Sequence, residues 1–359
     1  MIVSRTNPQR QLLAQMGLDS REKFKYAAAD AIRMDAGVSI SKPAPGTTEL
    51  RGLPLINLAR KSLSVQRIEA HSDNYVMSGR AMSSDDFDWI LSDVVNKMLN
   101  EGFENTWETW GTWVNIGELS DFRAAKIAQF ETDGLEELEG ERHEFPYGKI
   151  TDTGETAQLL TFGKIFEITR RVLMTNDKAL LTSIPRQIGA TASRKIGDLV
   201  YAILTGNAAM SDGVTLFHAN HLNVGTGGAP ADATVGEAIK LMKQQTLVGD
   251  TAPANIPPQF FVGPVALEAT AENAFRSIQG DTNKIKRIYD ARLDSTSETG
   301  WYMTGPTGKT VTVFGLDGNV KPTIESEENW QSDSIDYRCR LDAVATAVDW
   351  RAMVYNAGA

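Results

Sequence analysis

The sequence has little cysteine and no long apolar run, and each absence excludes a class of protein. Cys339 is the single cysteine among 359 residues, so no intramolecular disulfide can form and a disulfide-stapled secreted module is excluded. No run of about 20 apolar residues is present, which argues against a membrane-spanning helix. The first residues lack the apolar stretch of a secretory signal. These absences predict a soluble protein of a reducing compartment.

Positive charge is scarce as well. The chain has 36 Lys and Arg residues against 46 Asp and Glu residues, which gives a formal net charge of −10. Dedicated nucleic-acid binders neutralise phosphates with a surplus of Lys and Arg, so the charge disfavours that class. With 42% hydrophobic and 23% charged residues the composition is that of an ordinary globular protein. The length predicts roughly two or three structural lobes.

The first part of the chain predicts a loosely organised arm over residues 1–80. Prolines interrupt any periodic pattern there, and only residues 20–33 have the amphipathic spacing of a short helix. A firm helix is predicted over residues 85–101, with Ser83 or Ser84 as its N-cap and Gly102 at its end. Tryptophans follow at positions 107, 110 and 113, and we interpret them as core residues rather than as a sugar-stacking face.

Residues 130–162 combine an acidic, glycine-containing stretch with an apolar alternation. Leu160, Phe162, Phe166 and Ile168 alternate as in a strand. We interpret the region as a long hairpin that reaches away from the body, with an acidic tip that seeks a basic neighbour. A solvated surface loop is the alternative. Structureless loops longer than about 12–15 residues are uncommon unless they bind something, which favours the hairpin.

The second half of the chain alternates between helical and strand patterns. The strongest helix is predicted over residues 184–204, with Ser183 as its cap and Pro185 in its first turn. The final alternation over residues 337–349 predicts a half-buried strand that carries Cys339 on its buried side. The intervening pattern predicts helices over residues 234–245 and 265–275 and strands over residues 259–262 and 311–315.

Few residues offer chemistry. His218 and His221 form the best metal candidate, but a zinc site needs a third ligand that the pattern does not supply, so a metal-dependent enzyme stays a minor hypothesis. Residues 305–310 (GPTGKT) lack the leading glycine of a phosphate-binding loop and precede a strand pattern, which predicts a hairpin turn. No nucleophile, base and oxyanion donor come together. The sequence therefore predicts neither an enzyme nor a bound metal or cofactor.

Six segments, in this order and spacing, carry a resemblance: 78–91 (SGRAMSSDDFDWIL), 120–123 (SDFR), 140–144 (GERHE), 162–171 (FGKIFEITRR), 175–177 (TND) and 213–223 (GVTLFHANHLN). Together they resemble the major capsid proteins of tailed bacteriophages, in particular the Mu-like major head subunit group. The resemblance implies an α+β subunit with the HK97-type capsid fold. It also implies self-assembly into hexamers and pentamers of an icosahedral head around double-stranded DNA.

The resemblance implies a layout of the chain: an N-terminal arm over 1–80, peripheral-domain segments over 81–129 and 166–230 (the latter with the spine helix), an extended E-loop over 130–165, an axial domain over 231–330 and a returning peripheral strand over 331–359. It implies a scaffold, a prohead protease and a portal as partners, a decoration protein as a further partner of some heads, and packaged DNA contacted without sequence specificity. No membrane partner is expected. The implied location is the virion, assembled in the cytoplasm of a host bacterium. A cellular nanocompartment shell of the encapsulin type is the nearest alternative.

The acidic loop and the basic helix region supply the expected contacts between subunits. On the E-loop we expect contacts from Glu131, Glu136, Glu137, Glu139, Arg142, Phe145 and Lys149. As basic partners on a neighbouring subunit we expect Arg170, Arg171, Arg186, Arg194 and Lys195. Lys149 lies where some relatives carry a crosslinking lysine, but no residue here identifies its partner, so covalent crosslinking is not predicted.

Overall fold

The computed structural model describes residues 20–69, 72–132, 150–247, 252–277, 284–329, 331 and 334–359, with side chains left out for 128–132 and 150–153. These residues form a mixed α+β structure that divides into two compact units. The first unit comprises Met1–Thr106, Phe162–Ser193 and Lys321–Leu341, and the second comprises Trp107–Thr161, Arg194–Val320 and Asp342–Ala359. Each unit is therefore built from separate stretches of the chain.

The first unit is mainly helical. Its helices are α1 (Ser20–Asp35), α2 (Thr47–Leu50), α3 (Leu55–Val65), α4 (Asn74–Met82), α5 (Asp85–Asn105) and α6 (Arg170–Thr175). They enclose one apolar cluster in which Ile32, Leu58 and Met77 have no exposed surface. The short helix predicted over residues 20–33 is confirmed as α1. The described residues that follow it differ from the predicted loose arm, because they contain α2, α3 and α4. The reason is that Pro54 stands at the N-cap of α3 rather than inside a helix, so the prolines separate helices instead of preventing them.

The longest helix, α7 (Lys178–Gly206), runs from the first unit into the second. It begins well before the predicted residue 184 and holds Pro185 in its interior. The predicted helix over 85–101 is confirmed as α5, but it continues through Gly102. A Cβ on Gly102 would lie 2.0 Å from the carbonyl oxygen of Arg186, and one on Gly189 would lie 2.0 Å from that of Leu99. These glycines allow the α5 and α7 backbones to touch, so Gly102 serves packing and not termination.

The remaining elements are strands β1 (Asn115–Leu119), β2 (Ala125–Thr132), β3 (Ile150–Ala157), β4 (Leu160–Thr169), β5 (Phe260–Gly263), β6 (Lys286–Tyr289), β7 (Trp301–Thr304), β8 (Val311–Leu316), β9 (Thr323–Asn329), β10 (Ser334–Ala347) and β11 (Met353–Asn356), and helices α8 (Asp232–Lys243), α9 (Glu268–Ser277) and α10 (Ala291–Asp294). The predicted elements over 234–245, 259–262, 265–275 and 311–315 are thus present, with shifted ends. None of the described helices has the length and apolar character that a membrane crossing requires.

A four-stranded sheet with the order β11–β7–β5–β6 forms the core of the second unit. Strands β5 and β6 are parallel, and the other pairs are antiparallel. Helices α8 and α9 contribute Val235, Met242 and Phe275 to the same buried cluster as Phe261 and Trp301. The single returning strand expected over residues 331–359 is instead two strands, β10 and β11, and β11 belongs to this sheet.

Strand β10 confirms the final alternation, because Tyr337, Cys339, Leu341 and Ala343 are all buried. Its first part pairs antiparallel with β9 in the first unit. Its last part pairs antiparallel with β8 in the second unit, where β8 also pairs in parallel with β1. The strand predicted after residue 310 is confirmed as β8. The hairpin turn predicted over 305–310 is wrong, since β7 and β8 belong to different sheets.

Candidate subunit interface

Strands β2 and β3 form a two-stranded antiparallel ribbon, paired from Ala125–Ala157 at the base to Thr132–Ile150 at the far end. A hairpin is therefore present, but its return strand is β3, and the alternating run after residue 160 is β4 in another sheet. Strand β3 has the sequence ITDTGETA, whose scarcity of apolar residues hid it from the hydrophobic pattern. Outside the described structure lie the side chain of Glu131 and the residues Glu136, Glu137, Glu139, Arg142, Phe145 and Lys149; their contacts stay a prediction.

Polar and apolar contacts hold the base of the ribbon. The Glu155 carboxylate accepts hydrogen bonds from the Ser211 backbone N–H, at 3.0 Å to each oxygen, and from the Ser211 hydroxyl at 2.8 Å. Beside it, Ala157 and Leu159 pack in a small buried cluster with Phe314. The base of the ribbon is therefore fixed within the second unit.

The loop that carries Ser211 is ordered by the proposed metal residue His221. Buried His221 places Nε2 2.8 Å from the Asp212 carboxylate and Nδ1 3.1 Å from the Leu216 carbonyl oxygen, and its ring stacks on Trp350 at 4.2 Å. Partial burial acts to raise the pKa of the Asp212 carboxyl. The hydrogen bond from His221 and the charge of His221 outweigh burial and hold this pKa below its usual value.

The other histidine of the pair has a local role as well. His218 accepts a hydrogen bond from the backbone N–H of Asn220 through its Nδ1, at 3.1 Å. Both ring nitrogens of His221 already have protein partners. Across the described parts of the chain, no three His, Cys, Asp or Glu side chains are grouped to hold a metal ion. The structure therefore gives the His-x-x-His pair a loop-ordering role.

The five predicted basic partners differ in their solvent exposure and in whether they already have a partner within the subunit. Arg186 pairs with Glu101 at 3.1 Å, and the Arg170 guanidinium lies 4.5 Å from the Tyr75 ring centroid, so both are engaged inside the first unit. Lys195 is half-buried on α7. Arg171, at the start of α6, and Arg194, on the second-unit part of α7, are exposed. These two are the best placed of the five to meet an acidic partner.

Sequence reasoning missed a charged cluster around Arg292 in the second unit. Its guanidinium lies 3.0 Å from Glu108, 2.6 Å from Asp198 and 3.2 Å from Asp290. Burial acts to lower the pKa of Arg292, but hydrogen bonds to Glu108 and Asp198 outweigh burial and raise it. These carboxylates lie 184, 94 and 2 positions away in sequence, so no local pattern could reveal the cluster.

The Arg292 cluster continues into a buried polar chain. The Thr109 hydroxyl lies 2.5 Å from both the Tyr201 hydroxyl and an Asp290 carboxylate oxygen. Burial raises the pKa of Tyr201, so this phenol keeps its proton and can donate. These hydrogen bonds connect Thr109, in the segment after α5, to Tyr201 on the second-unit part of α7 and to Asp290, the residue before α10.

The three regularly spaced tryptophans do not share one environment. Trp110 and Trp113 are buried, which confirms the core interpretation for them, whereas for Trp107, at 83% exposed, that interpretation is wrong. Trp107 borders a cavity of about 590 Å³ in the second unit. The cavity lining also includes Thr109, Val265, Lys286, Ile288 and Tyr289. The regular spacing suggested one helical face for all three tryptophans. The only helical turn here is Trp110–Thr112, so Trp107 and Trp113 lie outside it and the spacing could not predict their different exposure.

A family model described as phage capsid protein matches residues 153–356. No curated protein matches the sequence. Among solved structures, the capsid of Myoviridae phage XM1 is similar at 11% identity, over 70% of this chain and 92% of that chain, with a TM-score of 0.45. A virus-like particle from Pyrococcus furiosus is similar at 11% identity, over 73% and 97%, with a TM-score of 0.45. The SrpI encapsulin of Synechococcus elongatus is similar at 9% identity, over 71% and 88%, with a TM-score of 0.43.

Proposed function

The chain belongs to the phage capsid protein family, and from this premise we propose that it is the major capsid protein of a tailed-phage head. It is a structural, non-enzymatic protein of the virion capsid, and it forms homo-oligomers. The observation that carries the proposal is the family match over residues 153–356, which takes in most of the ribbon strand β3, all of α7 and strands β4 to β11.

The finer proposal is a Mu-like subunit with the HK97-type fold, which assembles as hexamers and pentamers of an icosahedral shell. Its support is the ordered set of segments between residues 78 and 223. In this proposal the shell encloses double-stranded DNA without reading its sequence, a task compatible with a net charge of −10. Scaffold, prohead protease, portal and decoration proteins are its proposed partners. The description of the matched family favours a phage head over an encapsulin-type compartment.

The proposal assigns the β2–β3 ribbon to the base of the E-loop, within residues 130–165. Peripheral segments would occupy 81–129 and 166–230, and the axial domain 231–330. The acidic residues after β2 would meet basic side chains of a neighbouring subunit. Exposed Arg171 and Arg194 suit this role best, because Arg186 already pairs with Glu101. Each such contact is weak, but a closed shell repeats it many times.

The first test is electron microscopy and size-exclusion chromatography of the protein expressed alone. We expect closed shells, rings the size of a capsomer, or tubes. A chain that remains monomeric at every concentration, with and without a co-expressed scaffold, would contradict the proposed function.

The second test reverses the charge of the acidic loop. We expect the triple variant Glu136→Lys, Glu137→Lys, Glu139→Lys to stay folded but to form no shells, because like charges across an interface repel. The matched Gln triple, which removes charge without reversing it, should assemble weakly. Circular dichroism and particle counts by microscopy measure folding and assembly.

The control for this test is rescue by complementary charge. Arg171→Glu and Arg194→Glu are expected to hinder assembly alone, and the variant that contacts the loop should restore shells when it is combined with the Lys triple. Shells from the Lys triple at the normal yield would refute the role given to the loop. Failure of both combinations would refute these two arginines as its partners.

A further inference from the structure

The second unit leaves a large aromatic side chain open to solvent. Trp107 is 83% exposed and borders the cavity of about 590 Å³, next to Val265, which is 44% exposed. We call this cavity and its rim the Trp107 groove; its apolar lining comes from Trp107, Val265, Ile288 and Tyr289. Contiguous exposed apolar surface beside a concave site is a recurrent feature of binding sites. Tryptophan is also the residue type that most often dominates binding energy at protein interfaces.

The groove lies along the edge of a sheet. In the order β11–β7–β5–β6, strand β6 is the outer strand and pairs with β5 on one side only, as far as the described residues show. All four residues of β6 line the groove. Proteins normally cover or charge an outer strand, because its unpaired backbone groups can pair with another chain. Here the outer strand and the exposed tryptophan form one continuous surface.

The walls of the groove are held in place before any partner binds. The Tyr289 hydroxyl and the Arg287 Nε both contact one oxygen of Glu272, at 3.2 and 2.8 Å. On the other wall, Thr109 is fixed by its short contacts to Tyr201 and Asp290. Side chains that are already ordered lose little conformational entropy on binding, so such a surface suits a specific contact.

Charges of both signs line the groove. Lys286 and Glu268 are both exposed, whereas Arg287 is already paired with Glu272. A second copy presents the same two exposed side chains, so the lysine of one copy can pair with the glutamate of the other. The charges of the groove are therefore complementary to those of a second copy.

We propose that the Trp107 groove is a contact surface between copies of this chain. Trp107 is its apolar anchor, and exposed Lys286 and Glu268 are the charged groups that pair with their counterparts on the second copy. The inference rests on the proposed function, since a capsid subunit assembles with its own copies. It adds a binding surface that is separate from the acidic loop.

The first test truncates the anchor. We expect Trp107→Ala to raise the critical concentration for assembly about thirtyfold, as expected for an anchor residue at an interface. Trp107→Phe, which keeps an aromatic ring, should stay within a few-fold of the wild type. Because Trp107 is so exposed, circular dichroism and the melting temperature of the free subunit should not change. Assembly of Trp107→Ala at the wild-type concentration overturns the proposal.

The second test measures exposure of Trp107 without impairing the interface. The difference in iodide quenching of fluorescence between wild type and Trp107→Phe isolates this side chain. We expect quenching in free subunits and protection in empty, nuclease-treated shells. Quenching that persists in shells overturns the proposal, and so does protection that requires nucleic acid or an added protein.

The two levels of inference fail in different ways. If the wild-type chain forms no shell, ring or tube, with and without a co-expressed scaffold, the proposed function fails. The groove is then tested by analytical ultracentrifugation of the free subunits. We expect Trp107→Ala to weaken their self-association relative to the wild type. Wild-type subunits that show no self-association, or an alanine variant that associates equally well, overturn the groove as a contact between copies.

Discussion

The crossing of α5 and α7 allows a prediction whose sign depends on two opposed effects. Replacing a glycine inside a helix with alanine normally stabilises a protein by about 0.5–1 kcal/mol, since glycine loses more backbone entropy on folding. At Gly189 the new Cβ would lie 2.0 Å from the Leu99 carbonyl oxygen and 2.8 Å from the Phe103 nitrogen. Backbone atoms cannot rotate away as a side chain can, so the helices have to separate.

The magnitude follows from comparing the two effects. Overpacking of a well-filled core costs about 1–3 kcal/mol, and a clash with backbone belongs at the upper end. Subtracting the gain in helix propensity leaves a net loss of about 2 kcal/mol in the free energy of unfolding for Gly189→Ala. Urea unfolding of the unassembled subunit, followed by circular dichroism, measures this difference.

Gly236 in α8 provides the matched control. It also lies inside a helix, but a Cβ there would meet nothing within 4 Å. Gly236→Ala should therefore stabilise the chain by about 0.5–1 kcal/mol. If Gly189→Ala were as stabilising as Gly236→Ala, the two helices would not be in backbone contact and the account of Gly102 and Gly189 would be refuted.

Two titratable groups give further predictions. Burial raises the pKa of Cys339 to about 11, so at pH 8 about one thiol in a thousand is ionised, and we expect slow alkylation by iodoacetamide that accelerates with pH. Mass spectrometry measures it; labelling in the folded subunit as fast as in guanidinium would contradict this. Burial, reinforced by the charges of Asp85 and Glu328 and only partly offset by a hydrogen bond from Ser326, raises the pKa of Asp88. The folded state then binds its proton more tightly, so stability is lost as pH rises through the unfolded pKa of about 3.9 towards the folded value. Asp88→Asn should therefore gain stability over wild type from pH 3 to pH 7 in urea unfolding, and a gain that shrinks over this range would contradict the assignment.

Elements with a strong local pattern could be predicted from the sequence. The apolar faces of α5 and α7 and the alternation of β10 each arise from side chains a few positions apart, which one sequence displays directly. The ends of these helices were less predictable. Gly102 lies in the interior of α5 because the α7 backbone passes beside it, and that neighbour is distant in the chain.

The groove and the Arg292 cluster could not be found in this way. Trp107 is exposed and Trp110 is buried because different residues pack over them. A spacing of three positions in the sequence contains no information about that packing. Arg292 gathers carboxylates from the segment after α5 and from α7, so its environment exists only after folding. Helix α1 was predicted from its amphipathic spacing, but α2 to α4 were missed because proline was taken as an interruption, whereas Pro54 begins a helix.

The N-terminal helices restrict where a protease can cut a mature subunit. Ile32, Leu58 and Met77 have no exposed surface, and they come from α1, α3 and α4. Each buried side chain of this kind is worth about 1.5–3 kcal/mol, so losing all three would consume a large share of a typical domain's stability of about 5–15 kcal/mol. Excision of these helices would also expose the apolar face of α5. Maturation by proteolysis, if it is to leave the first unit folded, has to spare the chain from Ser20 to Met82.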